Sequence, residues 1–121
     1  MKKVLVVEDD QFLANAYKLK LSKSDFDVKI AGDGQEALKI MEEFTPEVVL
    51  LDLIMPNMDG FETLKAMKAL DKLKSIPVIV ASNLGQKEDL DRAMKLGAND
   101  FIIKSNVSIE DIIKKVNKLI N

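Results

Sequence analysis

Five short apolar runs, rich in Val and Ile, recur along the chain and are separated by polar segments of helical length. The runs are Val4–Val7, Val28–Ala31, Val48–Leu51, Val78–Ala81 and Phe101–Ile103. Most of them are continuous rather than alternating, which is typical of strands that are covered on both faces, as in a parallel sheet. The pattern therefore predicts five buried strands.

The segments between and after these runs carry apolar residues at the 3.6-residue period of a helix, with charged residues on the other side. Asp33-x-x-Glu36 and Asp59-x-x-Glu62 have the spacing of capping boxes, and Gly97 suits the left-handed position that ends a helix. Strand and helix thus alternate five times, which predicts an α/β fold of the (βα)₅ type. Right-handed crossover connections would place helices on both faces of an open parallel sheet. The apolar positions with helical period are Leu38, Met41 and Phe44, then Leu90, Ala93 and Met94, then Ile109, Ile112, Ile113, Val116 and Ile120.

Composition limits the classes of function. The 121 residues, 47% of them apolar, suit a single domain over residues 1–121 with one sizeable core. A net charge of −2 gives no reason to expect direct nucleic-acid binding. The absence of Cys and His excludes disulfides, thiolate zinc sites, histidine catalysis and phosphohistidine on this chain. The N-terminal apolar run has four residues, too few for a signal peptide or a membrane span, so we expect a cytoplasmic protein without membrane contact.

Residues able to carry chemistry stand where the predicted strands end. Glu8 and Asp9 follow the first strand, Asp52 follows the third, Ser82 the fourth and Lys104 the fifth. In an open parallel sheet these positions meet at one edge, where ligands bind. Clustered carboxylates repel one another, and a hard divalent cation such as Mg²⁺ relieves the repulsion. A carboxylate can also attack phosphorus as a nucleophile, so this edge is a candidate phosphoryl-transfer site.

Four stretches in this order resemble the response-regulator receiver (CheY-like) domain family over essentially the whole chain. They are residues 6–9 (VVED), 51–60 (LDLIMPNMDG), 77–82 (PVIVAS) and 96–104 (LGANDFIIK). The resemblance implies a doubly wound, flavodoxin-like sheet with strand order 2-1-3-4-5. It also implies two-component phosphorelay signalling by a domain that is not an enzyme beyond its own phosphotransfer and autodephosphorylation.

The resemblance implies a role for each acid at the edge. Asp52 would be the phosphorylated aspartate. Mg²⁺ would be bound directly by Asp9 and Asp52, mostly through water by Glu8, and by the backbone carbonyl of Ile54.

The resemblance also implies a switch and partners. Ser82 would hydrogen-bond the phosphoryl group, Lys104 would pair with it, and Phe101 would swing inward when Ser82 moves. The altered surface would be the fourth helix, fifth strand and fifth helix, roughly Gln86 to Ile120. The implied partners are a histidine kinase or phosphotransfer protein, a downstream protein target and, in a phosphorylation-dependent homodimer, a second copy.

Several positions depart from the family pattern. Ser105 replaces the proline that usually follows the lysine, which leaves the geometry of the Lys104–Ser105 peptide bond open. Asn83 stands where a small residue is usual and could narrow access to the site. Ile54 and Leu84 flank the site with apolar side chains that cannot orient an attacking water, so we expect slow self-dephosphorylation.

Each of these residues also has a structural interpretation. Asp9 or Asp10 could cap the first helix, Asp52 could be a loop acid bound by backbone amides, and Ser82, Lys104 and Phe101 could be a buried hydroxyl, a surface lysine and a core aromatic.

Three alternative functions concern the whole chain. One is a receiver-like interaction module that works without phosphorylation, which Ser105 and Asn83 keep open. A flavin carrier would need a phosphate-binding loop after the first strand, where the sequence has Glu8 and Asp9 instead. An aspartate-nucleophile phosphatase would need an acid at the position of Ile54.

Overall fold

The chain folds as a five-stranded parallel sheet with helices on both faces, in a computed structural model that describes residues 1–83 and 86–120. The strand order is β2-β1-β3-β4-β5, which confirms the predicted (βα)₅ doubly wound fold. A short 3₁₀ turn at Lys104–Asn106 joins β5 to α5. In chain order the elements are β1 Lys2–Val7, α1 Gln11–Ser22, β2 Phe26–Ala31, α2 Gly34–Ile40, β3 Val48–Leu51, α3 Gly60–Ala69, β4 Val78–Ser82, α4 Lys87–Lys95, β5 Asp100–Ile103 and α5 Ile109–Ile120.

Two apolar clusters cover the two faces of the sheet. Successive residues of a strand point to opposite faces, so Leu5 and Val7 of β1 enter the cluster shared with α2, α3 and α4. Val4 and Val6 enter the cluster shared with α1 and α5. Because both faces are covered, β3 and β4 are apolar and buried at nearly every position, which is why their sequences are continuous rather than alternating. The edge strand β2 differs, since Lys29 in it is exposed.

Side-chain caps define where three helices begin. Asp10, Asp33 and Asp59 each accept a hydrogen bond from the backbone N–H three residues on, and so begin α1, α2 and α3. Gly97 follows α4 with a φ of +107°, a conformation that side chains disfavour. The helix starts predicted at Asp33 and Asp59 and the stop predicted at Gly97 are confirmed.

Two helices differ in detail from their apolar patterns. α2 ends at Ile40, so Met41 and Phe44 are buried by the turn that follows the helix rather than by the helix itself. In α4, Leu90 and Met94 are 39% and 41% exposed. The period predicts the helix correctly, but the narrow contact of α4 with the rest of the molecule covers only part of its apolar stripe.

Within residues 1–83 and 86–120, no helix combines the length and the apolar character needed to cross a membrane.

Candidate functional site

The three acids predicted from the strand ends lie together at the carboxyl edge of the sheet. Parallel pairing sets Val7 of β1 opposite Leu51 of β3, so the residues that follow, Glu8 and Asp52, leave the sheet side by side. One carboxylate oxygen from each of Glu8, Asp9 and Asp52 lies within 4.8 Å of the others. Glu8 and Asp52 are buried, at 4% and 8% exposure, whereas Asp9 is exposed at the rim.

Asp10 separates the acidic cluster from the first helix. Its Oδ1 accepts the N–H of Leu13 at 3.2 Å and caps α1. The backbone N–H of Asp10 in turn donates to Oε2 of Glu8 at 3.2 Å. The capping alternative therefore applies to Asp10, and Asp9 belongs to the acidic cluster.

Lys104 reaches both buried acids from the far side of the edge. Its Nζ donates to Oε1 of Glu8 in a short ion pair and lies 3.4 Å from Oδ2 of Asp52. The Lys104 side chain is 12% exposed, so it is not a solvated surface lysine. β5 is two strands away from β3 in the sheet, which means that the long side chain extends across the end of β4.

The environment of Glu8 disfavours its ionised form. Burial raises the pKa of Glu8 from 4.5 to about 7, and repulsion from Asp52 adds to the increase. The hydrogen bond and charge of Lys104 oppose it. A bound cation would favour the ionised form of Glu8 in the same way as the amine does.

The backbone around Asp52 fixes its carboxylate. Its N–H donates to the carbonyl of Val7 at 3.0 Å, and its Oδ1 accepts the N–H of Leu53 at 2.8 Å. Gly60 passes so close that an added Cβ would lie 2.2 Å from the carbonyl oxygen of Asp52. Gly60 and the helix cap Asp59 therefore have the structural roles that their positions suggest.

The donor set fits a hard divalent cation. Carboxylate oxygens are the ligands preferred by Mg²⁺, which also retains several waters and needs few protein ligands. The exposure of Asp9 places one of the three carboxylates where solvent can reach it. Ile54, whose carbonyl is the other predicted ligand, lies in the loop two residues after Asp52 with its side chain 60% exposed.

The residues predicted to switch lie on neighbouring strands. Ser82 is the last residue of β4 and is buried. Phe101 is half-buried in β5 and packs against the cluster on the α2–α4 side. Asn83 is exposed, whereas Leu84 lies outside the described residues. The Lys104–Ser105 peptide bond is trans.

Two features near the site were not predicted from the sequence. Tyr17 on α1 is buried, and its pKa is raised to about 12 by burial and by the negative charges of Glu8 and Asp52. The Asn57 side chain donates to Asp33 at 2.9 Å across 24 residues of chain. The helical spacing of Ala14, Tyr17 and Leu21, which are the buried residues of α1, is a sequence signal for the burial of Tyr17. No local pattern indicates the contact of Asn57 with Asp33.

Comparisons with known proteins show what the whole chain is similar to. Residues 4–117 match the model of the response regulator receiver domain. The chemotaxis protein CheY of Listeria monocytogenes is 42% identical over 105 residues, covering 86% of this chain and 87% of that protein. The receiver domain of the Francisella response regulator 1452 is 34% identical, with a TM-score of 0.89 over 98% of this chain and 96% of its own. A Mn²⁺-bound form of response regulator Rcp1 is 28% identical, with a TM-score of 0.80 over 98% and 91%.

Proposed function

Because this chain belongs to the response regulator receiver domain family of two-component signalling, we propose that it is a phosphoacceptor switch in which Asp52 receives the phosphoryl group. The observation that carries the proposal is the cluster at the carboxyl edge. Glu8, Asp9 and Asp52 each direct a carboxylate oxygen into one small volume, and Lys104 contacts two of them. We propose that the receiver domain spans residues 1–121.

The proposed ion is Mg²⁺, held by Asp9 and Asp52 directly, by Glu8 mostly through water, and by the backbone carbonyl of Ile54. Its place among carboxylates is supported by the oxygen-only donor set and by the Mn²⁺-bound form of Rcp1. When bound, the ion neutralises the acidic edge and the oxygens of the transferred phosphoryl group.

The proposed reaction is a displacement at phosphorus. A carboxylate oxygen of Asp52 forms the new P–O bond while the P–N bond to the histidine of a partner kinase or phosphotransfer protein breaks, and the leaving imidazole nitrogen takes up a proton. Lys104 already lies beside Asp52, where its amine can pair with a phosphoryl oxygen. Ser82 donates a hydrogen bond to another oxygen of the group.

The proposed output is a change of surface. Movement of Ser82 toward the phosphoryl group draws Phe101 inward, which alters the face formed by α4, β5 and α5. This face binds a downstream protein target or a second copy of the chain. The exposed Leu90 and Met94 give it apolar contact area.

The first prediction tests the phosphoacceptor directly. Incubation with Mg²⁺ and acetyl phosphate should add one phosphoryl group to the intact chain, as measured by mass spectrometry. Asp52→Ala should gain none because the nucleophile is missing. Lys104→Met should accumulate the modified form more slowly, since the charge that pairs with the phosphoryl group is lost.

The opposite result favours the remaining alternative. A parent chain that gains no mass and binds no beryllofluoride in the presence of Mg²⁺ would instead be a receiver-like module that acts without phosphorylation. A gain of mass that persists in Asp52→Ala would mean that another residue is the acceptor.

A further inference from the structure

The loop from Asp52 to Asp59, here called the β3–α3 loop, is held by backbone hydrogen bonds at two places, its base and its tip. At its base, the N–H of Gly60 donates to the carbonyl of Leu53 at 2.9 Å. At its tip, the carbonyl of Met58 accepts the N–H of Gly34, the first residue of α2, at 3.1 Å. The loop that carries the proposed phosphoacceptor is therefore attached to a helix that contributes no residue to the acidic cluster.

A side-chain hydrogen bond adds to this attachment. Nδ2 of Asn57 donates to Oδ2 of Asp33 at 2.9 Å. The other oxygen of Asp33 accepts the N–H of Glu36 at 2.8 Å and caps α2. These hydrogen bonds, the one from Glu36 first, hold the pKa of Asp33 below its usual range, so the acceptor is ionised at neutral pH.

Asn57 meets two requirements at once. Its φ is +65°, in the left-handed region that Asn tolerates better than most residues and that Gly occupies freely. Glycine would satisfy the backbone but would lose the bond to Asp33. The asparagine side chain is thus suited to the attachment as well as to the turn.

The helix side of the attachment is closely packed. A Cβ at Gly34 would lie 2.0 Å from Oγ1 of Thr63 and 3.0 Å from the carbonyl oxygen of Met58. Thr63 is fully buried and donates to the carbonyl of Asp59 at 2.7 Å. α2, the loop tip and the start of α3 therefore form one rigid support.

We propose that Asn57 is a positioning residue for the phosphoacceptor site, acting through its hydrogen bond to Asp33. The inference rests on the proposed function, because it concerns the placement of Asp52 and of the Ile54 carbonyl. The Ile54 side chain is 60% exposed, so the position of this residue depends on the buried neighbours Leu53 and Met55 and on the attachment of the loop tip. Fixing the loop tip on α2 restricts the positions that the Ile54 carbonyl can take, because this carbonyl lies between the tip and the base of the loop. Small displacements of a binding or reacting group weaken binding or slow the reaction.

The test uses substitutions that separate the bond from backbone and charge effects. Asn57→Gly keeps the left-handed turn and removes the donor. Asp33→Asn keeps a good helix cap and removes the ionised acceptor. The double variant Asp33→Asn with Asn57→Asp restores a donor–acceptor pair in reverse at unchanged net charge. Glu36→Gln, which removes a charge from the same turn of α2, is the matched control.

We expect Asn57→Gly and Asp33→Asn to bind Mg²⁺ about 3- to 10-fold more weakly in calorimetry, as the loss of one exposed hydrogen bond would give. The Mg²⁺ affinity of the double variant should return to within about twofold of that of the parent. The affinity of Glu36→Gln should also lie within about twofold of the parent. Amide exchange of residues 53–58 without Mg²⁺ should speed up in the single variants only. Loss of stability alone would leave the Mg²⁺ affinity of the folded chains unchanged.

The inference would be overturned by single variants that match the parent in Mg²⁺ affinity, or by a double variant that is not restored. If the parent binds Mg²⁺ and accepts phosphate while the variants behave like it, the inference fails and the proposed function stands. If the parent neither binds Mg²⁺ nor gains mass, the proposed function fails and the inference fails with it.

Discussion

Single residues at the carboxyl edge show how the chain tolerates three neighbouring acids. Lys104 contacts both Glu8 and Asp52 and supplies a positive charge beside them. Its compact amine is a point charge on a flexible stem, so it can stay beside Asp52 while pairing with a new anionic group. The ion pair therefore offsets charge in the metal-free chain without blocking the proposed chemistry.

Tyr17 is the only tyrosine of the chain and reports on this charge. We predict that its tyrosinate absorbance appears with a midpoint near pH 12, because burial and the charges of Glu8 and Asp52 disfavour a phenolate. Since the unfolded chain ionises near pH 10, stability contributed by the neutral phenol is complete below pH 10 and is lost as the pH rises toward 12. Absorbance titration and unfolding at several pH values measure both effects.

Asp52→Asn provides the control for the Tyr17 titration. Removing this charge should lower the midpoint, although burial keeps it above the ordinary value of 10. A midpoint at 10 in the parent chain would mean that the phenol is neither buried nor close to the acids.

Among the five α-helices of the described chain, α4 has the fewest buried residues. Of its nine residues, all within the described part of the chain, Ala93 is the one that is buried. The guanidinium of Arg92 lies 4.0 Å from the centroid of the Phe61 ring on α3 and adds a cation–π contact. A helix with so little buried surface can shift at low cost, which suits its place in the proposed output face.

We predict that Arg92→Ala lowers the free energy of unfolding by about 0.5–1 kcal/mol, the usual strength of an exposed cation–π contact. Amide exchange in α4 should increase more than in the other helices. Lys95→Ala is the matched control, because Lys95 is an exposed cation of the last turn of the same helix. Equal effects of the two substitutions in denaturant unfolding would contradict the assigned contact.

At the scale of the whole molecule, an ion that binds only the folded chain must stabilise it. We predict that Mg²⁺ raises the free energy of unfolding by about 2.7 kcal/mol at a concentration 100 times its Kd, and that the unfolding midpoint rises with it. In Asp9→Asn the effect should be much smaller, since one of the three carboxylates of the cluster is lost. Asp9 is exposed, so the metal-free variant should be at least as stable as the parent once a like charge is removed.

Thermal unfolding with a titration of Mg²⁺ measures this effect, and a matching concentration of NaCl controls for general screening. Equal stabilisation of the parent and Asp9→Asn would mean that the ion binds elsewhere.

Much of the fold and the residue types of the site follow from local spacing. Continuous apolar runs predict buried parallel strands, because only a strand covered on both faces has no place for polar residues. Helical period and the Asp33 and Asp59 caps depend on neighbours within a few residues. The carboxyl ends of parallel strands share one edge, so even the meeting of Glu8, Asp9 and Asp52 could be predicted.

Tertiary structure decided what local spacing leaves open. Asp9 and Asp10 are adjacent acids of similar pattern, and only the path of the chain into α1 assigns the cap to Asp10. The contacts of Lys104 with Glu8 and of Asn57 with Asp33 join residues 96 and 24 positions apart. Such pairs are set by the packing of whole elements against one another, and no periodicity or cap records where a distant side chain will lie.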